Sequence, residues 1–221
     1  MLGVGSMASA ILSGLLSPTV TCEGPIRLTN RSAASAERFS TESRVLAVSL
    51  DEDSSANLHA VQNARIVIVA VKPAMVADLL DEISSALQPG TIVVSVAGGI
   101  TTATMEAHLP DTVSVIRTMP NTPAQVGKAV TGLCAGTRAT QEDIDLITQL
   151  FSTVGDVITL EESQIDALGA LSGSGPAYVY YMIEKLTTVA LEYGFTPEQA
   201  KVMIQGTFEG AVDLLAASGE E

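Results

Sequence analysis

The sequence predicts an α/β fold in which a doubly wound, mostly parallel sheet is followed by an all-helical C-terminal region. Up to about residue 160, short β-rich runs alternate with helical patterns, the order expected of strands joined by crossover helices. The run Arg65–Val71 is almost wholly apolar and β-branched, as in a parallel strand buried on both faces. Beyond Leu171–Tyr178 only helical periodicity remains. We therefore expect two domains, residues 1–160 and 161–221.

The composition excludes several functional classes. The net charge of −14 argues against nucleic acid or an anionic membrane as the partner. No apolar run reaches the roughly 18 residues that span a membrane, and no basic segment precedes an apolar one at the N-terminus. We therefore expect a cytoplasmic protein. The two cysteines, Cys22 and Cys134, have no metal-ligand spacing around them, so we predict no metal site.

The chain opens with a glycine motif. Residues Gly3–Ala8 have the pattern G-x-G-x-x-A, and a helical pattern follows through Leu16. In a Rossmann-type unit the first glycine makes the strand-to-helix turn, the second admits a dinucleotide pyrophosphate, and the small third residue allows close packing. The strand that should precede the motif is reduced to Met1 and Leu2. We expect either a missing start or a very short central strand.

The second predicted strand indicates which dinucleotide binds. Arg27–Thr29 is followed by Asn30, Arg31 and Ser32, a little over 20 residues beyond the glycines. An acidic residue there would bind the ribose 2′-hydroxyl of NAD, whereas these side chains offer donors and a cation to a 2′-phosphate. We predict NADPH as the cofactor, with NADH weaker. The alternative is a solvated basic turn in which Ser32 caps a helix, Ala33–Thr41.

Each later strand ends in residues that break it. Because carboxyl ends of parallel strands meet at one edge of a sheet, a ligand site is expected there. Thr102 is expected to cap a short helix, and Thr140 with Asp143 a longer one, between the weaker strands Ala129–Ala135 and Gly155–Leu160. The strands and their breaking segments are Arg65–Val71 with Lys72-Pro73, Thr91–Val96 with Ala97–Gly99, and Val113–Thr118 with Met119–Pro123.

The segment Leu171–Tyr178 is predicted to be a loop that leads into a helix N-terminus. Gly173 and Gly175 permit backbone conformations that side chains disfavour, and Pro176 suits the first turn of a helix. Free N–H groups and the two serine hydroxyls would then form a receptor for a small carboxylate or phosphate. The alternative is a plain interdomain turn.

Two apolar helices follow. The second opens with a capping box and a first-turn proline, Thr196–Gln199, and has Gly206 and Gly210 one turn apart. Two helices alone cannot bury both of their apolar faces, so we expect a partner subunit. The alternative is that further chain covers them.

Together these motifs resemble the pyrroline-5-carboxylate reductase family over essentially the whole chain. The resemblance implies a Rossmann-type domain, a helical C-terminal domain that dimerises by interleaving, larger rings of dimers, and NAD(P)H as the hydride source. The implied reaction is reduction of 1-pyrroline-5-carboxylate to L-proline, the last step of proline biosynthesis. The segments that match are the glycine motif with Met7, Asn30–Ser32, Ala70–Pro73, Ser95–Gly99, Met119–Pro123 and Leu171–Tyr178.

The resemblance also implies roles for single residues. Asn57 corresponds to the family's asparagine near the adenosine 2′-phosphate, and Glu162 to an acid near the substrate. The residues expected at the cofactor are Gly3, Gly5, Ser6, Met7, Asn30, Arg31, Ser32, Asn57, Ala70, Val71, Lys72, Pro73, Val96, Ala97, Gly98 and Asn121. The catalytic residues expected at the substrate are Glu162, Ser172 and Ser174.

The chain departs from the family at three places. Ser6 replaces the usual Asn or Gln, and Gly169 replaces a common threonine. The chain ends at Glu221, before the family's proline-glycine-glycine-threonine-threonine segment, so we expect an incomplete helical domain. Two alternatives remain: a β-hydroxyacid-type NADP dehydrogenase, although neither Lys185 nor Lys201 has that family's surrounding pattern, and a non-catalytic nucleotide-binding remnant.

Overall fold

The computed structural model describes residues 1–219, which form two compact units, Met1–Gly173 and a second that begins at Ser174. The α-helices described are α1 Ser6–Leu15, α2 Ala33–Glu37, α3 Ala56–Val61, α4 Val76–Ile83, α5 Thr102–Ala107, α6 Gln141–Ser152, α7 Glu162–Leu168, α8 Gly175–Glu192 and α9 Pro197–Ser218. The strands described are β1 Ile26–Asn30, β2 Val45–Ser49, β3 Ile66–Val69, β4 Ile92–Ser95, β5 Ser114–Met119, β6 Ala129–Ala135 and β7 Gly155–Thr159.

The first unit is a doubly wound sheet, as predicted. Leu2 bridges Thr29 of β1 and Val69 of β3, both in parallel, and so joins the pair β2-β1 to the five strands β3-β4-β5-β6-β7. The other neighbours are parallel except β5 and β6, which are antiparallel. In the given chain, the position of the central strand is therefore occupied by this single buried leucine, which is 1% exposed.

The β-branched run of β3 is explained by burial on both faces of the sheet. Val67 and Val69 pack with α4 and α5, whereas Ile68 between them packs with α1 and α6 on the opposite face. Since successive side chains of a strand point to opposite faces, a strand covered on both faces must be apolar throughout. The two helical layers hold the strand ends in fixed positions.

Several predicted boundaries are wrong. The helix expected over Ala33–Thr41 ends at Glu37. Thr101 caps α5 rather than Thr102, because its hydroxyl accepts the hydrogen bond from the N–H of Thr104. Thr102 is the first helical residue, and its hydroxyl is bound elsewhere. By contrast, Thr140 and Asp143 cap α6 as predicted, and the structure shows that they form a reciprocal capping box.

The prediction for Leu171–Tyr178 is partly wrong: a helix does begin there with Pro176 in its first turn, but no loop precedes it. Gly169–Gly173 is a π-helical turn that continues α7, and α8 begins at Gly175. Neither Gly173 nor Gly175 has a positive φ. Side chains at the two glycines of this π turn would crowd Met119. Its Cε would lie 3.3 Å from a Cβ at Gly169 and 3.2 Å from a Cβ at Gly173. These glycines permit close packing and do not supply an unusual backbone conformation.

The second unit consists of α8 and α9. The capping box of Thr196 and Gln199 with Pro197 opens α9 as predicted. Its small core contains Ala190, Ala200 and Ile204. Much of the apolar surface of the two helices remains exposed, including Tyr178, Tyr180, Tyr181, Met182, Leu186, Val189, Leu191, Val202, Met203, Val212, Leu214 and Leu215.

Candidate active site

The glycine turn between Leu2 and α1 has the geometry of a phosphate-binding loop. Gly3 has φ +81°, and a Cβ there would lie 2.7 Å from Cγ1 of Val71. A Cβ at Gly5 would meet no protein atom within 4 Å. The third small residue, Ala8, is 1% exposed and packs with Leu28 of β1. Gly3 is thus required by the turn itself, whereas Gly5 leaves space for a ligand.

Two further residues of the turn lie on α1. Ser6 is the first helical residue and is exposed, and Met7 is half-buried against the core. No side chain caps this helix N-terminus. Backbone N–H groups at such an end favour an anion.

Asn30, Arg31 and Ser32 follow β1 beside the turn. The Asn30 amide is buried: its Oδ1 accepts from the N–H of Val4 at 3.1 Å, and its Nδ2 donates to the carbonyl of Ser35 at 3.4 Å. The Ser32 hydroxyl pairs with that of Ser35 at 3.0 Å. Asn30 therefore fixes the glycine turn to the end of β1, and its amide already has protein partners.

Arg31 differs from Arg27, Arg38 and Arg44, the other arginines in this part of the sequence. Arg27 donates to the carbonyls of His59 and Gln62, and Arg44 donates to the Leu16 carbonyl. Arg38 stacks on the Phe39 ring, 5.6 Å from its centroid. Arg31 is exposed, and within residues 1–219 its guanidinium has no hydrogen bond or ion pair. Arg31 is therefore an exposed cation at the position where the sequence predicts contact with a 2′-phosphate.

Asn57 lies near the start of α3. It is 5% exposed, and its Nδ2 donates to Oε2 of Glu82 on α4 at 3.2 Å. The α3 segment follows the turn after β2, where the N–H of Asp51 donates to the Arg31 carbonyl. Asn57 is therefore held by the protein, with an acidic side chain as its observed partner.

The residues predicted at the ends of β3 and β4 lie next to the glycine turn. The N–H of Ala70 donates to the Leu2 carbonyl at 2.9 Å, and that of Val96 donates to the Val69 carbonyl at 3.1 Å. The N–H of Ala97 is bound by the Ser95 hydroxyl. Val71 borders Gly3, while Lys72 and Pro73 are exposed where a 3-10 turn begins.

The π turn contacts the residues at the end of β5, which lie at this edge of the sheet. Met119 lies beside Gly98, with its Sδ 3.9 Å from the position of a Cβ there, and also beside the glycines of the π turn. Two residues later, Asn121 donates to both the carbonyl and the hydroxyl of Ser172 at 3.1 Å. One edge therefore holds the glycine turn, three strand ends and Ser172. Ser174 precedes α8 in the second unit.

Glu162 is the first residue of α7, in the first unit, and its carboxylate binds residues of α5 and β5. Its Oε1 accepts from the N–H of Thr102 at 2.7 Å, and its Oε2 accepts from the Thr102 hydroxyl at 2.8 Å. Arg117 of β5, whose side chain is 3% exposed, reaches Oε1 of Glu162 at 3.4 Å and Oδ1 of Asp166 at 2.6 Å. About a third of the Glu162 side chain stays exposed, since its fractional exposure is 32%.

Sequence reasoning missed Arg117. The available signal was an arginine directly after the apolar pair Val115 and Ile116 in a predicted strand, because a buried cation requires an anionic partner. On the neighbouring strand, burial raises the pKa of the Cys134 thiol to about 11, and the negative charge of Glu162 adds to this effect. Cys134 is therefore a protonated, unreactive thiol at neutral pH.

Residues 1–219 contain neither a cluster of metal ligands nor a membrane-spanning helix. Within residues 1–219, no group of three or more His, Cys, Asp or Glu side chains could hold a metal ion. In the same part of the chain, no helix is both long and apolar enough to cross a membrane.

Comparison with known proteins identifies relatives over the full chain. Residues 162–221 match the model described as pyrroline-5-carboxylate reductase dimerisation. Residues 1–99 match one described as NADP oxidoreductase, coenzyme F420-dependent. Pyrroline-5-carboxylate reductase 2 of Bacillus subtilis is 36% identical over 99% of this chain and 77% of its own. The enzyme of Corynebacterium melassecola is 34% identical over 100% of this chain and 80% of its own.

A solved structure agrees with these relatives. The pyrroline-5-carboxylate reductase of Coxiella burnetii has a TM-score of 0.88 and 32% identity, over 100% of this chain and 80% of its own. The likeness thus includes both the sheet and the helical unit. With its glycine turn and strand ends gathered at one edge, the chain belongs to the pyrroline-5-carboxylate reductase family.

Proposed function

We propose that the protein reduces 1-pyrroline-5-carboxylate to L-proline with NADPH, by hydride transfer to the imine carbon. The observation that carries this proposal is the likeness to pyrroline-5-carboxylate reductases, which extends over 99% of the chain at 36% identity. The reaction needs the hydride donor beside a C=N carbon and the substrate carboxylate held in place. Positioning therefore supplies most of the rate.

The residues at the glycine turn fit a dinucleotide. Open space over Gly5 and the uncapped start of α1 suit a pyrophosphate. The free Arg31 guanidinium, with Ser32 beside it, suits a 2′-phosphate, and we propose that these two residues favour NADPH over NADH. Asn57 would lie at the same end of the cofactor. When bound, NADPH supplies the hydride.

The other end of the cofactor would lie along the strand ends. Ala70–Pro73 and Val96–Gly98 follow adjacent parallel strands, and the small residues among them, Ala70, Ala97 and Gly98, suit a flat ring. Asn121 belongs to the same edge, although its amide is bound to Ser172 and Val130.

We propose that Ser172 and Ser174 contact the substrate carboxylate and that Glu162 acts beside the imine. Serine hydroxyls donate to a carboxylate without adding charge. The Glu162 carboxylate is anchored by Thr102 and Arg117 while about a third of its side chain stays exposed. A fixed negative charge near the imine nitrogen would stabilise its protonated form, which accepts hydride more readily.

We also propose an assembly and a location. The exposed apolar residues of α8 and α9, together with the match to a dimerisation model, support a homodimer, and we extend this to a ring of dimers. The domains would be an NADPH-binding domain, residues 1–160, and a substrate and dimerisation domain, residues 161–221. We place the enzyme in the cytoplasm, and its acidic composition argues against nucleic acid or an anionic membrane as its partner.

A steady-state assay separates the proposed function from its rivals. Oxidation of NADPH should depend on added 1-pyrroline-5-carboxylate and yield proline. A β-hydroxyacid dehydrogenase would instead reduce NADP⁺ with a 3-hydroxy acid. A non-catalytic nucleotide-binding protein would bind NADPH and turn over neither substrate, which would refute the proposal.

A further inference from the structure

Asn121 connects the end of β5, the start of β6 and the π turn. Its Oδ1 accepts from the N–H of Val130 at 2.9 Å, and its Nδ2 donates to the carbonyl and the hydroxyl of Ser172, each at 3.1 Å. The residue is 7% exposed. Water therefore has little access to these three hydrogen bonds. A hydrogen bond that is shielded from water is electrostatically stronger than one exposed to it.

The orientation of this amide follows from its neighbours. The backbone N–H of Val130 can only donate, so the atom that faces it must be the oxygen of Asn121. The nitrogen is then the atom that faces Ser172. In a flipped amide, the NH2 group of Asn121 would face the N–H of Val130, and two donors would meet. The assignment is therefore unambiguous.

This arrangement restricts the Ser172 hydroxyl. A serine hydroxyl has one proton to donate and two lone pairs to accept with. Because one lone pair already accepts from Asn121, the proton must point away from that amide. Within residues 1–219 no acceptor is found for it, and Ser172 is half-buried. The proton is thus available to a ligand at the sheet edge.

We infer that Asn121 is a positioning residue, which holds the Ser172 hydroxyl as a hydrogen-bond donor toward the substrate carboxylate. The inference rests on the proposed function, in which Ser172 contacts that carboxylate. It differs from the expectation that Asn121 binds the cofactor. The donor groups of the amide are already bound to Ser172, so its effect on the cofactor should be small.

The variant Asn121→Asp tests this role with little change of shape. A carboxylate oxygen still accepts from Val130, but the side chain no longer donates to Ser172. The Ser172 hydroxyl would then turn and donate to the new carboxylate, and so be lost to the substrate. The added negative charge is controlled by Gln125→Glu, which changes an exposed residue of the neighbouring 3-10 turn, Thr122–Val126.

The measurement is a double-mutant cycle on KM for 1-pyrroline-5-carboxylate and KM for NADPH. Ser172→Ala should raise the substrate KM about fivefold in the unmodified and Gln125→Glu backgrounds, the scale of one hydrogen bond. In the Asn121→Asp background the same change should raise it less than about twofold. The KM for NADPH should stay within about twofold throughout. Asn121→Ala, which removes the amide without adding charge, should also weaken the effect of Ser172→Ala.

Three results would overturn the inference. Equal effects of Ser172→Ala in all backgrounds would show that the amide does not orient the hydroxyl. A raised KM for NADPH alone would make Asn121 a cofactor residue. Loss of the circular dichroism spectrum in both Asn121 variants would make it a purely structural residue. If the unmodified protein does not reduce 1-pyrroline-5-carboxylate, the proposed function fails, whereas the first three results leave that function intact.

Discussion

Gly3 and Gly5 are two residues apart in one motif, yet different constraints require a glycine at each. Gly3 has φ +81° and a neighbouring Val71 methyl 2.7 Å from where its Cβ would lie. Gly5 has no positive φ, and a Cβ there would meet nothing within 4 Å. The fold itself therefore requires the first glycine, and only a ligand can require the second.

Substitutions at these glycines should separate folding from binding. Gly3→Ala should lower the stability by about 1–3 kcal/mol, because it adds backbone strain and a contact with Val71. Gly5→Val should change Tm by less than about 2 °C and weaken NADPH binding at least about tenfold, since its side chain fills the pyrophosphate space. Thermal unfolding and NADPH titration are the measurements. A Gly5→Val variant with unchanged NADPH affinity would contradict the proposed cofactor site.

Arg31 should decide between the two nicotinamide cofactors. In the unmodified protein NADPH should bind more tightly than NADH. Arg31→Ala should reduce the difference between their binding free energies by about 1–2 kcal/mol, the scale of a charge-assisted hydrogen bond. Arg38→Ala is the control. Arg38 is also exposed and lies seven residues after Arg31, but it stacks on the Phe39 ring. Equal dissociation constants for the two nucleotides in the unmodified protein would exclude a 2′-phosphate site at Arg31.

At the residue scale, the sequence predicts which residues gather at the site but not how their side chains pair. The glycine turn and Arg31 are recognisable from local spacing alone. The partners of Asn30, Asn121 and Glu162 lie 26, 51 and 60 residues away, at Val4, Ser172 and Thr102. Such pairings depend on tertiary structure, and no local pattern contains them.

At the scale of elements, the structure confirms predictions that rest on local chemistry. The N-terminal caps of α6 and α9 are present where the sequence indicates them. The edge strand β2 was not predicted, because Leu46 and Val48 are exposed and its pattern lacks a clear buried face. The π turn was interpreted as a loop because its glycines are usually turn residues. Here they make space for Met119, a contact that only the fold creates.

The capping residue Asp143 also anchors α6 to the sheet. Burial alone would raise the pKa of this carboxyl, but hydrogen bonds from the Thr140 N–H and the hydroxyls of Ser114 and Thr140, with the charge of Arg65, lower it below 3.8. A lowered pKa in the folded state means that the ionised carboxylate stabilises the fold above pH 3.8. This contribution is lost as the pH falls through the lowered pKa.

Asp143→Asn should therefore destabilise the protein at neutral pH. A loss of about 1–3 kcal/mol is expected, the scale of hydrogen bonds to a buried charge. The difference from the unmodified protein should shrink as the pH falls below the ordinary aspartate value of 3.8. Urea unfolding between neutral and acidic pH is the measurement, and Asp145→Asn, on the exposed face of α6, is the control. A difference that stays constant with pH would contradict the role of the charge.

For the molecule as a whole, the two units differ in how much apolar surface they bury. The sheet unit has apolar clusters on both faces, whereas the described part of α8 and α9 has a small core and many exposed apolar side chains. Large exposed apolar surfaces mark interaction sites in soluble proteins. The sequence predicted this surface from helical periodicity, but periodicity does not specify the partner.

Light scattering should therefore detect at least a dimer of the 22.8-kDa chain. Leu214→Glu should shift the protein toward monomer, because a charge on this 69% exposed side chain costs little in the monomer and much in an interface. Val126→Glu, which changes a 74% exposed side chain of the first unit, is the control. A monomeric unmodified protein at micromolar concentration would contradict the proposed homodimer.

Hydride transfer from NADPH to the imine carbon of 1-pyrroline-5-carboxylate can be followed with an isotope label. NADPH deuterated at both C4 positions of the nicotinamide is incubated with the protein and the imine, and the product is examined by NMR and mass spectrometry. We expect L-proline with a single deuterium at C5, formed in equal amount to the NADPH oxidised. Absence of proline, or proline without deuterium at C5, would contradict the proposed hydride transfer.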